Sequence, residues 1–139
     1  MSDDFMDSNV FVYLFDETDG HKRDIAMRLV ESALHSGSAS ISFQVVQETL
    51  NVVTRKLASP MSVEGAKSFL EETLRPLWRV SPSLALYTRA LDVQDRYRFS
   101  FYDSLVVAAA LEAGCTRLYT EDLQNGQRIE GLTIENPFL

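Results

Sequence analysis

Apolar residues alternate along the chain between short runs and longer stretches with helical spacing. The short runs predict strands at residues 5–7, 39–43, 77–80, 117–120 and 132–135. The stretches with apolar residues three or four positions apart predict helices at residues 8–15, 21–35, 44–57, 62–76, 83–98 and 104–113. Gly37 and Gly114 follow two of these stretches, as helix C-terminal caps do, and Asn125-Gly126 predicts a turn.

This alternation of strands and helices predicts an α/β fold. Short strands that alternate with helices form parallel sheets with helices on both faces. The segment from Ser104 to Leu111 is almost wholly apolar, so its helix is expected to be central. We therefore predict a three-layer α/β/α sandwich with a mostly parallel central sheet.

Length and composition favour one ordinary globular domain over residues 1–139. The chain is 45% hydrophobic and 24% charged, and it contains one cysteine, Cys115. A single cysteine forms no internal disulfide, so we expect Cys115 to be a packing residue. The amino terminus is acidic, and no apolar stretch approaches the roughly 20 residues that cross a bilayer. We therefore expect a cytoplasmic protein without a membrane partner.

The formal net charge of -7 argues against binding of nucleic acid by attraction of the whole molecule. It does not exclude a nuclease, because acids gathered at a metal site would account for part of this charge. Local basic groups could then line a path for the substrate, although solvated surface charge is the favoured explanation for any one pair. These groups are Lys22 with Arg23, Arg55 with Lys56, and Arg96 with Arg98.

Four acids, Asp7, Glu48, Asp103 and Asp122, occur where an α/β fold would bring them to one edge of a sheet. Asp7 and Asp122 follow strand-like runs, and Asp103 opens the apolar helix. In open parallel sheets, the ligand crevice lies beyond the carboxyl ends of the strands. Carboxylate oxygens are hard ligands for Mg²⁺ or Mn²⁺, and clustered carboxylates repel one another without a cation. The four acids therefore predict a divalent-metal site.

Asp7 and Asp103 each also have a simpler explanation. Asp7 precedes Ser8-Asn9, a setting that suits an Asx turn or a helix cap, with Ser8 itself able to cap the first helix. Asp103 stands three residues after Ser100, as in a capping box. Capping and metal binding are compatible, because one carboxylate has several acceptor sites.

Glu48 is the acid whose position helical periodicity explains least well. It falls nearly opposite the main apolar stripe of its helix, which by itself predicts an exposed side chain. Val45 and Val52 lie three residues before it and four after it, so a second, partly apolar side of the helix permits burial.

In residues 120–122, either Glu121 or Asp122 could be the ligand, and we favour Asp122 with Thr120.

Four segments, taken in order, resemble the PIN-domain family, and in particular VapC-type ribonuclease toxins. They are residues 6–10 (MDSNV), 47–48 (QE), 102–106 (YDSLV) and 118–122 (LYTED). The resemblance implies that Asp7, Glu48, Asp103 and Asp122 are the catalytic, metal-binding acids. It also implies that Thr120 and Asn9 orient these acids by hydrogen bonds, and that the fold is a parallel α/β/α sandwich.

The resemblance further implies an Mg²⁺- or Mn²⁺-dependent endoribonuclease with one or two ions, the toxin of a type II toxin-antitoxin pair. Its partners would be an RNA substrate, a cognate antitoxin protein and a second copy in a homodimer. One alternative is a catalytically silent PIN-like module that binds RNA or protein. A receiver-like phosphoacceptor is disfavoured because no lysine follows a late strand, Lys67 being the last in the chain.

Overall fold

The computed structural model describes residues 3–139, so the first two residues of the expected domain lie outside the described part. Its six strands are β1 (Asp4–Met6), β2 (Ala39–Ser42), β3 (Trp78–Val80), β4 (Arg117–Tyr119), β5 (Arg128–Ile129) and β6 (Leu132–Glu135). The α-helices within residues 3–139 are α1 (Ser8–Val12), α2 (Gly20–Ser36), α3 (Phe43–Arg55), α4 (Val63–Phe69), α5 (Leu84–Tyr97) and α6 (Phe101–Glu112).

The strands form one sheet in the order β3-β2-β1-β4-β6-β5. Every neighbouring pair is parallel except β5 and β6, which are antiparallel. The helices cover the sheet in an α/β/α arrangement, which confirms the predicted fold class. Because β1 lies between β2 and β4, the chain leaves the centre of the sheet in opposite directions, and a crevice opens at such a switch point.

The helix α6 lies in the core, as its apolar sequence predicted. All residues of α6 from Ser104 to Ala110 are buried, and Phe5, Ile41 and Leu118 of the central strands are fully buried. Small side chains at positions 108–110 allow close packing of α6 with the elements around it. The first turn of α6 is consequently held at a fixed place beside the sheet.

Several element boundaries differ from the prediction by a few residues because side chains cap the helices. Asp7, rather than Ser8, caps α1, since its Oδ1 accepts a hydrogen bond from the backbone N–H of Ser8 at 2.7 Å. The helix α6 begins at Phe101, before Ser104, because Ser100 Oγ accepts from the N–H of Asp103 at 3.1 Å. These caps place two of the candidate acids in the opening turns of helices.

The predicted helix over residues 62–76 is divided into three pieces. After α4, residues Leu70–Leu74 form a π-helical turn and Arg75–Leu77 a 3₁₀ turn. The predicted first helix is likewise divided, since α1 ends at Val12 and a 3₁₀ turn covers Tyr13–Phe15. Strand β5 was not predicted because two residues carry too little pattern to identify a strand.

Two further expectations can be compared with the structure. Cys115 is a buried free cysteine, and burial raises the pKa of its thiol to about 12, as expected for a packing residue. No helix in residues 3–139 is long and apolar enough to cross a bilayer.

Candidate metal centre

The candidate acids lie at the carboxyl edge of the sheet. Asp7 directly follows β1, Asp122 lies three residues beyond the end of β4, and Glu48 is on α3, which begins where β2 ends. Asp103 is in the first turn of α6. Four separate segments therefore bring one acid each to the side of the sheet where ligands bind in this class of fold.

Asp7 is the most buried of these acids, with 4% of its surface exposed. Its Oδ1 accepts from the N–H of Ser8, and its Oδ2 accepts from the Thr120 hydroxyl at 2.8 Å. Burial raises the pKa of Asp7 to about 7, against the opposing effect of these two hydrogen bonds. The negative charges of Asp122 and Glu48 make smaller contributions to this rise in pKa.

Thr120 connects Asp7 with Asp122. Its side chain is fully buried, and its hydroxyl oxygen accepts from the N–H of Asp122 at 3.1 Å while the hydroxyl donates to Asp7. Asn9 Nδ2 donates to Thr120 Oγ1 at 3.4 Å and to Asp122 Oδ2 at 3.3 Å. The sequence-based pairing of Thr120 and Asn9 with the acids is therefore present as direct contacts.

Glu48 is half-buried and faces the other acids. The hydroxyl of Ser8 donates to its Oε1 at 3.4 Å. Burial raises the pKa of Glu48, hydrogen bonds from Gln44 and Ser8 lower it, and the charges of Asp122 and Asp103 raise it. Glu48 is thus partly buried, as the second, partly apolar side of α3 permits, and is not exposed as the main stripe alone would indicate.

Asp103 is the fourth acid, and its negative charge affects the pKa of two of the others. Its backbone N–H is bound to Ser100 Oγ, and its carboxylate is partly buried. Burial raises the pKa of Asp122 first, and the nearby negative charge of Asp103 raises it further. Since Asp103 acts on both Glu48 and Asp122, the four carboxylates share one electrostatic environment.

The donor set fits a hard divalent cation, although the acids do not form a finished coordination sphere. Within residues 3–139, no three His, Cys, Asp or Glu side chains are grouped closely enough to hold one ion together. Mg²⁺ commonly keeps several waters and binds through one or two carboxylates, so it does not require such a cage. The buried Oδ1 of Asn9 has no hydrogen-bond partner in the described part of the chain, which leaves an acceptor free for a water or ion beside the acids.

Sequence reasoning missed Gln44 as a residue of this site. Gln44 is buried on α3, donates from Nε2 to the carbonyl oxygen of Tyr102 at 3.1 Å and also hydrogen-bonds Glu48. It therefore joins α3 to the start of α6 directly before Asp103. The available signal was its spacing, since residues four apart on a helix are neighbours.

A surface cavity of about 560 Å³ lies away from the four acids, none of which lines it. Arg23 and Lys56, from two of the basic pairs, line this cavity together with the apolar side chains of Phe15 and Met61. Concavity alone therefore does not identify the chemical site, which is defined here by converging acids.

Comparisons with known proteins identify the family and the fold. The family model described as PIN domain matches residues 5–128. No curated protein matches the chain.

Solved structures of toxins share the fold. VapC20 of Mycobacterium tuberculosis, described as a sarcin-ricin-loop-cleaving toxin, is 22% identical with a TM-score of 0.65, over 86% of this chain and 89% of its own. A toxin-antitoxin complex from Klebsiella pneumoniae is 16% identical with a TM-score of 0.69, over 96% of each chain. The DNA-bound VapBC complex from Salmonella typhimurium is 18% identical with a TM-score of 0.68, over 99% of each chain.

The family model spans most of the chain, and the chain shares its fold with these toxin structures. The sequence-based resemblance is thereby confirmed at the level of family and fold. The chain belongs to the PIN-domain family.

Proposed function

We propose that this protein is an Mg²⁺- or Mn²⁺-dependent endoribonuclease that hydrolyses phosphodiester bonds in single-stranded or looped RNA. The observation that carries the proposal is the convergence of four acids from four chain segments at the carboxyl edge of the sheet. Membership of the PIN-domain family and the fold shared with VapC toxins support it.

We assign a role to each of the four acids. Asp7 and Asp103 are the principal ligands, Asp122 binds directly or through a water, and Glu48 binds or orients and deprotonates the attacking water. A divalent cation in this position supplies Lewis acidity and lowers the pKa of a bound water. The raised pKa of Glu48, which follows from burial, brings it nearer to the range useful for a general base.

The remaining residues of the site position these acids. Thr120 fixes the Oδ2 atom of Asp7 and the backbone of Asp122, while Ser8 and Gln44 hold Glu48. These contacts restrict the conformations of the carboxylates before an ion binds. Binding would therefore cost less conformational entropy.

Three partners follow from the same proposal. The substrate is RNA, the regulator is a cognate antitoxin protein, and the active form is a homodimer. Support for the antitoxin comes from similar structures described as toxin-antitoxin complexes from Klebsiella pneumoniae and Salmonella typhimurium. If the proposal holds, induced expression of the chain arrests bacterial growth, and co-expression of the product of an adjacent small gene restores it.

A cleavage assay tests the nuclease proposal. Purified protein is incubated with a labelled, partly looped RNA and Mn²⁺, with and without EDTA, next to Asp7→Asn and Asp103→Asn. The exposed acid Asp92 on α5 provides the control variant Asp92→Asn. We expect EDTA and both site variants to reduce cleavage at least about 100-fold, as for loss of a catalytic group, while the control retains it. Equal cleavage in all samples would reject the proposal.

The alternative is a silent PIN-like module that binds RNA or protein without turnover. The absence of a grouped set of three acids in residues 3–139 is the observation that favours it. Binding of Mn²⁺ and RNA with no product, at protein concentrations above the dissociation constants, would support this alternative.

A further inference from the structure

Glu121, the acid next to Asp122, takes part in a contact that the proposed site does not use. Tyr13 Oη donates to Glu121 Oε1 at 2.6 Å. Lys22 Nζ donates to Tyr13 Oη at 3.1 Å and lies 3.4 Å from Glu121 Oε2. Both carboxylate oxygens of Glu121 are therefore occupied by donors from the segment after α1 and from α2.

The donors are themselves held in place. The ring of Tyr13 packs edge-to-face on Phe138, with the centroids 4.7 Å apart. Lys22 Nζ lies 4.8 Å from the centroid of the Tyr13 ring, a distance suited to a cation–π interaction. Tyr13, Lys22, Glu121 and Phe138, here called the outer clamp, thus join four separate segments of the chain.

Thr120 and Glu121, the two residues before Asp122, each hold this segment in place through hydrogen bonds. Thr120 is bound to Asp7 and to the N–H of Asp122, within the acidic site. Glu121 is bound to Tyr13 and Lys22, outside it. Asp122 then contacts Asn9 from an exposed position between these anchors.

We propose that Glu121 is a positioning residue: the outer clamp holds its carboxylate away from the cation and thereby keeps Asp122 directed into the metal centre. This inference rests on the proposed function, because it assigns a role at the same site. It gives different roles to two adjacent acids, of which the sequence analysis favoured Asp122 as the ligand.

Charge and geometry give the physical reason. A free Glu121 carboxylate would repel the adjacent Asp122 and would offer a hard cation a second ligand beside it. The ammonium group of Lys22 offsets the Glu121 charge, and the short hydrogen bond from Tyr13 fixes its direction. Release of Glu121 would free the segment to rotate and would change which carboxylate is presented.

Mn²⁺ binding to the full chain, measured by electron paramagnetic resonance without RNA, tests the inference independently of activity. We expect Tyr13→Phe and Glu121→Ala to raise the Mn²⁺ dissociation constant at least about tenfold, as for loss of an outer contact to a metal ligand. Tyr13→Phe keeps the ring that packs on Phe138, so it removes only the hydroxyl contacts.

Glu121→Gln distinguishes a positioning residue from a ligand. Its amide oxygen still accepts from Tyr13, whereas its amide nitrogen cannot accept from Lys22. We therefore expect Mn²⁺ binding closer to the wild-type value than to that of Glu121→Ala. Weakening as severe as in Glu121→Ala would make Glu121 a ligand and overturn the inference.

The Glu64–Lys67 pair on α4 supplies a matched control, because it is also a Glu–Lys contact, 3.9 Å long and largely exposed. Glu64→Ala should leave Mn²⁺ binding unchanged. Wild-type binding in Tyr13→Phe and Glu121→Ala, or an equal loss in Glu64→Ala, contradicts the inference while the nuclease proposal stands. Absence of Mn²⁺ binding in the wild-type protein contradicts both.

Discussion

Two features of Asp7 have opposite effects on the pKa of its carboxyl group. As a cap of α1 it accepts from Ser8, which favours the carboxylate, whereas its burial favours the protonated form. The burial effect is larger, and the pKa is raised from 3.8 to about 7. A bound cation would reverse this balance, so metal affinity should increase as the pH rises through 7.

The first prediction concerns the stability of the metal-free protein. Because the pKa of Asp7 is higher in the folded than in the unfolded chain, the folded state binds more protons between pH 4 and pH 7. Asp7 therefore makes its full contribution to the free energy of unfolding below its unfolded-state pKa. This contribution is lost as the pH rises to about 7, and the loss is at most about 4 kcal/mol.

Asp7→Asn removes this pH-dependent loss. In urea unfolding with EDTA, we expect the excess in free energy of unfolding of the variant over the wild type to be larger at pH 8 than at pH 4.5, by about 1 to 3 kcal/mol. The control Asp92→Asn should show no such pH dependence. An excess that is no larger at pH 8 than at pH 4.5 would show that burial does not dominate at Asp7.

The second prediction uses a matched pair of buried threonines. Thr120→Val removes a hydroxyl that bonds Asp7 and the N–H of Asp122, whereas the buried hydroxyl of Thr49 has no partner within residues 3–139. We expect Thr120→Val to lower the free energy of unfolding by about 1 to 3 kcal/mol at pH 5, and Thr49→Val to be neutral or stabilising. Equal losses in thermal or urea unfolding would show that the Thr120 contacts contribute nothing specific.

At the scale of elements, the sequence predicted where most helices and strands lie but not how their ends are made. β6 was predicted with its observed bounds because its apolar positions alternate and its flanks carry turn residues. The bounds of α1 and α6 depend instead on the caps at Asp7 and Ser100. A capping pattern shows that a cap is possible, and only the folded chain shows which oxygen accepts.

The third prediction concerns the cap of α6. Ser100→Ala removes the acceptor for the N–H of Asp103, and Ser83→Ala removes the equivalent acceptor on α5, which lies 3.0 Å from the N–H of Leu86. Each variant should lose about 1 kcal/mol in urea unfolding, as for other N-caps.

The two cap variants should differ in their effect on the candidate metal centre. Only Ser100→Ala loosens the turn that carries Asp103, so only this variant should raise the Mn²⁺ concentration needed for half-maximal cleavage. If both variants change it equally, the position of Asp103 does not depend on its cap.

At the scale of the whole molecule, the order of four short motifs was enough to predict the family and the α/β/α fold. The motifs did not reveal the sheet order, which places β1 between β2 and β4 and so creates the crevice. Nor did periodicity give the orientation of Glu48, because that depends on which layer packs against the second side of α3. Long-range contacts such as Tyr13 with Glu121 leave no local pattern.

The metal roles of the four acids stay predictions, as do the single domain over residues 1–139, the homodimer and the cytoplasmic location. These properties depend on the whole folded chain and its surroundings. Among them, the metal site is central, because the reaction, the outer clamp and the roles of Thr120 and Asn9 all depend on it.

Anomalous diffraction from a crystal soaked in Mn²⁺ tests that site most directly. We predict a peak among Asp7, Glu48, Asp103 and Asp122, within about 2.3 Å of at least one carboxylate oxygen, as expected for a small hard cation. A map with no peak between these side chains, at a Mn²⁺ concentration that supports cleavage, would contradict the account.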